Sequence, residues 1–290
     1  MNPTLRGKVV VITGASQGIG KATALGIAKL GAKVVMVSRD PARAAEALRE
    51  VKQQSTNDDV ETVTADLSLV EGAKRAAAEL KARHPRIDVL INNAGLVPAG
   101  RELTAEGIES AFAINHVAHW VLIRELFAPL VAGRARVVML VGQPSPIDFD
   151  DLTCAKGTYK TFEAYGRGKL ASLAAMVEWQ RRFAGTGVTM LGAFPGIVDT
   201  ASMKNVGGIF STAFARMLMR SPEKAARSSV FCATAAGLEQ RPLALFSGDK
   251  PMSKFMAPKG WQEPGLVKRV VEATERLVSQ VEAGGQRLTA

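Results

Sequence analysis

Short, largely apolar runs alternate along this chain with segments whose apolar positions recur every three or four residues. The runs Lys8–Thr13 (KVVVIT), Lys33–Ser38 (KVVMVS), Val60–Ala65, Ile87–Ile91, Ala135–Val141 and Val188–Ala193 are rich in β-branched residues. That is the pattern of strands buried on both faces. Between them, Lys21–Leu30, Pro41–Gln54, Leu69–Arg83, Thr104–Leu130, Phe162–Phe183 and Pro222–Ala236 carry helical spacing. Pro41 suits a first helical turn. A short strand at Leu243–Phe246 and a polar, amphipathic helix over Gly265–Glu282 close the chain. Strand and helix alternate throughout. This predicts an α/β fold: a doubly wound parallel sheet of about seven strands with helices on both faces, in three α/β/α layers. No repeat, linker or low-complexity segment interrupts it, so residues 1–290 read as one domain.

The junction between the first strand and the first helix reads Thr13-Gly14-Ala15-Ser16-Gln17-Gly18-Ile19-Gly20. Glycines there allow a tight turn and close approach of the backbone to a pyrophosphate, which the free N–H groups of the helix N-terminus then bind. The strand–turn–helix setting is the one this motif needs, and it makes the fold Rossmann-like. An NAD-selective site would place a carboxylate about 20 residues further on, at the end of the second strand. Ser38-Arg39 stands there instead. The planar guanidinium of Arg39 can pair with a 2′-phosphate, Asp40 points away, and Lys21 adds positive charge. The expected cofactor is therefore NADP(H).

Tyr165-Gly166-Arg167-Gly168-Lys169 lies on the long helix after the fifth strand. Residues four apart share a helix face. A nearby ammonium lowers the pKa of a phenol, which can then exchange a proton with a carbonyl or alcohol oxygen. Lys169 can also hold the nicotinamide ribose.

Taken together, the Thr13–Gly20 turn, Asn92-Asn93-Ala94-Gly95, Tyr165–Lys169 and Pro195-Gly196 resemble the short-chain dehydrogenase/reductase family over nearly the whole chain. Asn115-His116-Val117-Ala118-His119-Trp120 and Phe149-Asp150-Asp151-Leu152 are similar to its retinol-dehydrogenase-like branch. Arg101-Glu102-Leu103-Thr104 and Gly248-Asp249-Lys250-Pro251 lean toward the branch named dehydrogenase/reductase member 12. The resemblance implies an oxidoreductase acting on CH–OH and C=O groups. It implies that Asn115 kinks its helix and feeds protons through water to Lys169. Asp66 and Leu67 would meet the adenine end, with a helix cap as the plainer reading of Asp66. Asn92, Ala94 and Gly95 would line the cofactor ribose, although Asn92 and Asn93 also suit a turn. Pro195, Gly196, Ile197 and Thr200 would lie near the carboxamide. The segment 198–221 would be a lid, and Met203, Ile209, Phe210, Phe214, Met217, Leu218 and Met219 in it favour a lipophilic ketone, aldehyde or alcohol. Pairing through the two long central helices, as a homodimer or homotetramer, is also implied.

One position departs from the family pattern. The Ser that normally follows the fifth strand, and polarises the substrate oxygen, aligns with Gly142. Ser145 could curl back into the site, Gln143 could donate instead, or nothing replaces it. The last case leaves a cofactor-binding sensor or scaffold with weakened catalysis as the alternative function. His116 and His119 have no third ligand near them in sequence and read as helix-packing residues rather than a metal pair. Asp148, Asp150 and Asp151 read as a solvated loop.

Composition bounds these readings. Lys and Arg total 37 against 27 Asp and Glu, a net charge of +10. The basic residues are scattered, so they suggest a solvated surface that draws in an anionic dinucleotide rather than a nucleic-acid site. No stretch approaches the roughly 18 apolar residues of a membrane helix, and the N-terminus lacks a signal-peptide layout. Two lone cysteines, Cys154 and Cys232, make neither a disulfide framework nor a zinc site. The expected location is the cytoplasm.

Overall fold

The computed structural model describes residues 4–196, 220–253 and 258–284. Five parallel pairings run through Val9–Thr13 (β1), Lys33–Ser38 (β2), Val60–Thr64 (β3), Val89–Asn92 (β4), Arg136–Leu140 (β5) and Thr189–Phe194 (β6). Leu245–Ser247 (β7) extends the sheet in parallel, and Lys250–Pro251 (β8) adds an antiparallel edge. The order is β3-β2-β1-β4-β5-β6-β7-β8. Consecutive strands on either side of β1 therefore wind in opposite directions. The reversal opens a crevice beyond the carboxyl ends of β1 and β4, where this topology places ligands. Central strands read VVVIT and RVVML because neither face meets water.

Helices Gly18–Ala28 (α1), Pro41–Ser55 (α2) and Pro222–Thr234 (α7) cover one face, burying Ala24, Ile27, Ala47, Val51 and Cys232 against Ile12, Met36, Ile91 and Phe246. The other face carries Val70–Arg83 (α3), a helix spanning Ser110–Glu125 (α4), Phe127–Gly133 (α5), Thr161–Arg182 (α6) and Pro264–Glu282 (α8). Their core includes Leu80, Leu90, Phe112, Trp120, Met176, Trp179 and Phe183.

The structure refines one expectation and corrects another. The sheet has eight strands, because the two residues of β8 are too few to show a period; Gly248, at φ +66°, turns the chain back to make that edge. The helix expected from Thr104 starts at Ser110 instead. Before it, Leu103 and Glu109 form an antiparallel bridge, and Gly107 takes φ +81°. The Glu109 carboxylate then caps the helix, accepting from the Ala111 and Phe112 N–H groups at 3.0 and 2.8 Å. A π turn over Ala113–Val117 widens α4, and a break at Leu126 separates it from α5. Pro129 lacks the N–H that would bond Glu125 and continue the first helix.

The C-terminal helix is part of the core. It buries Val267, Val270, Ala273, Thr274, Leu277 and Val278. Thr274 Oγ1 donates to Val270 O at 2.7 Å, so the 2.7 Å contact from His116 Nε2 runs as an N–H donating to Thr274. Burial holds His116 near pKa 3 and therefore neutral. Glu282 pairs with Arg124 and Lys74, and Glu275 with Arg182, whose guanidinium lies 5.0 Å from the Trp120 and Trp179 rings. Pro264–Glu282 thus packs against residues of both α4 and α6. Thr274→Val would strand the His116 donor inside the core. The expected result is a loss of about 1–3 kcal/mol in urea unfolding.

Candidate active site

The crevice is built by one exchange of hydrogen bonds. Thr13 Oγ1, at the end of β1, accepts from the N–H groups of Asn93 and Ala94, both at 2.9 Å. Asn93 Nδ2 returns a bond to Thr13 O at 2.7 Å. This locks the Gly14–Gly20 turn to the end of β4. Gly14 sits at φ +65°, and a Cβ there would lie 2.9 Å from Ala94 Cα, while one on Gly20 would overlap Gly14 O. Gly18 takes φ +53° just as α1 begins. Glycine is required here by backbone approach. No side chain caps α1, and none of its first-turn residues is acidic, so the helix N-terminus is open to an anion.

At the end of β2, Ser38 is buried and its Oγ lacks a hydrogen bond. Arg39 is exposed and makes no ion pair among the described residues. Asp40 faces the next helix, its carboxylate accepting from Ala42 N and Arg43 N at 2.9 and 3.1 Å. Lys21 does not reach the crevice as free charge, because Glu50 holds it at 2.6 Å. Asp66 closes its own turn, accepting from Ser68 N at 2.9 Å and Ser68 Oγ at 2.7 Å, next to buried Leu67. The cap of α3 comes instead from Glu106, which accepts from Val70 N at 2.7 Å. Sequence reasoning missed Glu106 because it lies 36 residues further along the chain.

The second half of the site gathers on α6. Lys169 is 3% exposed, and its Nζ donates to Leu140 O at 2.9 Å. It also stands 5.5 Å from the centre of the Tyr165 ring. A Cβ on Gly95 would lie 2.9 Å from Asn115 Oδ1 and 3.6 Å from Lys169 Nζ, so Gly95, Asn115 and Lys169 meet. Asn115 itself clamps Leu96, donating to its carbonyl at 2.8 Å and accepting from its N–H at 3.0 Å. Asn115 lies in the π turn, and Ser172 Oγ donates to its carbonyl at 2.5 Å.

Gly142 faces the phenol directly: a Cβ there would stand 2.5 Å from Tyr165 Oη and 3.3 Å from Lys169 Cγ. The space a serine would fill is taken by the Tyr165 hydroxyl. Ser145 lies against Gly166, the residue after Tyr165, its Cβ 2.7 Å from where a Cβ on Gly166 would be, and Gln143 is exposed. Burial pushes the Tyr165 hydroxyl up to about 12 and Lys169 down to about 8. The ammonium was expected to lower the phenol; desolvation outweighs it, and the Leu140 carbonyl already engages one of the lysine's N–H groups.

Other expected residues lie apart or outside. Asn92 turns into the sheet, donating to Met139 Sδ at 3.2 Å, and its Oδ1 lacks a partner. Pro195 and Gly196 follow β6, with Gly196 at φ +83° beside Arg220. Ile197, Thr200 and nearly all of the segment 198–221 lie outside the described residues. Asp151 is not solvated: it is 7% exposed and accepts from Ala155 N and Lys156 N at 2.8 and 2.9 Å, pinning the loop before α6.

A doubly wound sheet whose reversal point carries a glycine-lined turn, with a Tyr–Lys pair at the end of β5, defines the class of nucleotide-dependent oxidoreductases. Comparison with known proteins narrows it. Residues 8–208 match the short chain dehydrogenase family. Human retinol dehydrogenase 13 is 32% identical over 287 residues, covering 95% of this chain and 86% of that protein. Among solved structures, an uncharacterised protein of Mycobacterium paratuberculosis is similar at TM-score 0.77 and 27% identity, with 96% of each chain covered. A protein described as an NAD(P)-dependent gluconate 5-dehydrogenase from Beutenbergia cavernae, with bound NADP, reaches TM-score 0.67 at 27% identity, covering 85% of this chain and 96% of its own. The chain belongs to the short-chain dehydrogenase family of oxidoreductases, in its retinol-dehydrogenase-like branch. Among the described residues, no helix is long and apolar enough to cross a membrane.

The buried pair also sets a pH dependence. Folded Lys169 releases its proton near pH 8, whereas the unfolded chain holds it to about 10.5. Between those values the unfolded state binds more protons, so stability rises with pH; above pH 10 the raised Tyr165 value acts in the opposite sense. In cofactor-free protein, the urea midpoint should climb from pH 8 to 10, and Lys169→Met should flatten that climb.

Proposed function

We propose that this protein is an NADPH-dependent reductase of a lipophilic ketone or aldehyde, able to oxidise the corresponding alcohol. The observation that carries the reading is a protonated phenol beside a buried ammonium, at the mouth of a crevice shaped for a dinucleotide. The cradle fits the cofactor: the glycine turn leads into a helix N-terminus that no side chain caps and whose first turn carries no acidic residue, and Ser38 Oγ is a buried polar atom without a protein partner. Gly14, Ser16, Gln17, Gly18, Ile19 and Gly20 would hold the pyrophosphate at the start of α1. Ser38 and Arg39 would hold the 2′-phosphate, and Asp66 and Leu67 the adenine. Asn92, Ala94, Gly95, Tyr165 and Lys169 would line the nicotinamide ribose, with Pro195, Gly196, Ile197 and Thr200 at the carboxamide. When bound, NADPH supplies the hydride.

The chain's own residues do the rest. A Tyr165 hydroxyl held near pKa 12 is fully protonated at neutral pH, so it is a proton donor to a carbonyl oxygen. Lys169 draws that proton balance back toward neutrality once its ammonium is freed to face the phenol. Asn115 fixes the Leu96 segment against Lys169. Phe162, 42% exposed and one turn before Tyr165 on α6, gives the approach to the phenol an apolar side. Together with the Met- and Phe-rich segment 198–221, it supports a lipophilic substrate. Free, buried Cys154 and Cys232 suit a reducing, cytoplasmic setting.

A second reading rests on Gly142. With no hydroxyl opposite Tyr165, and with Ser145 packed against Gly166, the substrate oxygen lacks one donor; such a loss typically costs about 10²–10³ in rate. The chain would then serve as a cofactor-binding sensor.

The experiment follows NADPH oxidation with all-trans-retinal, a 3-ketosteroid and decanal. The enzyme reading expects turnover of at least one, and a loss of about 10²-fold or more in Tyr165→Phe with NADPH affinity retained. NADPH binding without turnover, indifferent to Tyr165→Phe, would establish the sensor. In the cofactor comparison, NADPH should bind more tightly than NADH, and Arg39→Asp should weaken NADPH about tenfold or more through loss of a charge-assisted contact. Tighter NADH binding by the unmutated chain would overturn the choice of NADP(H).

A further inference from the structure

A cation lies directly over the turn that follows β6. A Cβ on Gly196 would stand 3.0 Å from both Cδ and Nε of Arg220 and 3.2 Å from its Cζ, so the guanidinium crosses the backbone of residue 196. Gly196 takes φ +83° there. Arg220 is exposed and, like Arg39, makes no ion pair among the described residues. The cofactor contacts proposed so far leave it unused.

The helix that Arg220 precedes fixes its place. Ser221 caps α7, accepting from Lys224 N at 3.4 Å. Ser228 Oγ donates to Phe194 O at 2.8 Å and accepts from Gly248 N at 2.7 Å, which ties α7 to the carboxyl end of β6. Helix α7 packs along α1, where a Cβ on Gly26 would lie 3.0 Å from Val230 Cγ2. Both helices follow strands of one parallel sheet, so both begin at its carboxyl edge, beside the crevice. The start of α1 offers an anion only the partial charge of free N–H groups, roughly half a unit. Lys21, the cation expected there, is held by Glu50 at 2.6 Å and also faces Glu223 in the first turn of α7. A dinucleotide carries a negative charge on each phosphate of its bridge. The free guanidinium on this side of the crevice is that of Arg220, and its planar fork matches phosphate oxygens.

We propose that Arg220 is a cofactor-binding residue: its guanidinium donates to the diphosphate of the dinucleotide from the α7 side, while the glycine turn holds the same group from the α1 side. Arg39 selects the cofactor through its 2′-phosphate, and Arg220 holds either cofactor alike. The carboxamide at the other end of the ligand is neutral and gains less from a full positive charge. The inference rests on the dinucleotide reading of the crevice, and on neither the choice of NADP(H) nor the reaction.

The test uses ligands that share or lack the diphosphate. Calorimetry measures the binding of NADPH, NADH, ADP-ribose and 2′-AMP to the full-length protein and to Arg220→Gln, Arg220→Lys and Arg39→Asp. Arg220→Gln should weaken NADPH, NADH and ADP-ribose by a common factor of about tenfold, the loss of a hydrogen bond to a charged group, and leave 2′-AMP unchanged. Arg39→Asp should weaken 2′-AMP and spare ADP-ribose. Arg220→Lys should recover part of the affinity, because the charge remains without the fork. Added NaCl should narrow the gap between Arg220→Gln and the unmutated chain, since an exposed charge is screened. The side chain is exposed, so the variants should fold as the unmutated chain does. Full ADP-ribose affinity in Arg220→Gln would overturn the proposal. So would a loss confined to NADPH and NADH, which would assign Arg220 to the nicotinamide end, or an equal loss for 2′-AMP, which would reduce it to diffuse surface charge. If the unmutated chain binds the dinucleotides and Arg220→Gln is indifferent, this inference alone falls. If the unmutated chain binds none of the diphosphate ligands, the cofactor reading falls and takes the inference with it.

Discussion

The protein depends on the hydroxyl of Thr13. Two backbone N–H groups from the end of β4 converge on it, and the Asn93 amide answers by gripping the Thr13 carbonyl. Strands β1 and β4 are neighbours in space but far apart in sequence, and they meet where the winding reverses. Without this grip the glycine turn would be free to drift from the Ala94–Gly95 segment. The crevice between them would lose its shape. All three donors are buried amides, so each bond is made in a low dielectric and is costly to leave unmade. The same short segment then carries Gly95, against which Asn115 and Lys169 pack. The glycine turn, Asn115 and Lys169 are therefore held by one stretch of backbone.

Much of this was legible in the residues. The buried strands announce themselves as apolar runs because helices cover both faces of the sheet, and β2 falls on the expected residues, Lys33–Ser38. Arg39, Tyr165 and Lys169 could be picked out because their chemistry is tied to local spacing: the end of a strand, or one turn of a helix. What local patterns could not show is anything settled by distant partners. The start of α4 at Ser110 follows from a bridge and a carboxylate cap, not from periodicity. Glu106 caps a helix far back in the chain, and Lys21 is neutralised by Glu50 on the neighbouring helix. Asn93 rather than Asn92 closes the crevice, a distinction that depends on which way each side chain leaves a strand.

Gly142 shows how a missing group reorganises a site. The family pattern places a hydroxyl where this chain has only a hydrogen atom, and the phenol of Tyr165 settles into the room that is left. Desolvated there, it holds its proton firmly. Lys169, equally desolvated, is easily deprotonated and leans on the Leu140 carbonyl. The two groups are thus offset in opposite directions by the same cause, burial, and a bound dinucleotide with its phosphates and ribose would change the surroundings of both at once.

The closing helix has a consequence for how the molecule is made. Val270, Leu277 and Val278 seal the layer that contains Trp120 and Trp179, and Thr274 satisfies His116 on the helix that also bears Asn115. Until Pro264–Glu282 has left the ribosome, these side chains have no cover, and an open apolar flank of this kind invites association with other chains. The parts nearest the chemistry come from earlier in the polypeptide, yet they become enclosed only when Pro264–Glu282 docks. Closure of this layer therefore waits for a segment translated well after the residues it covers.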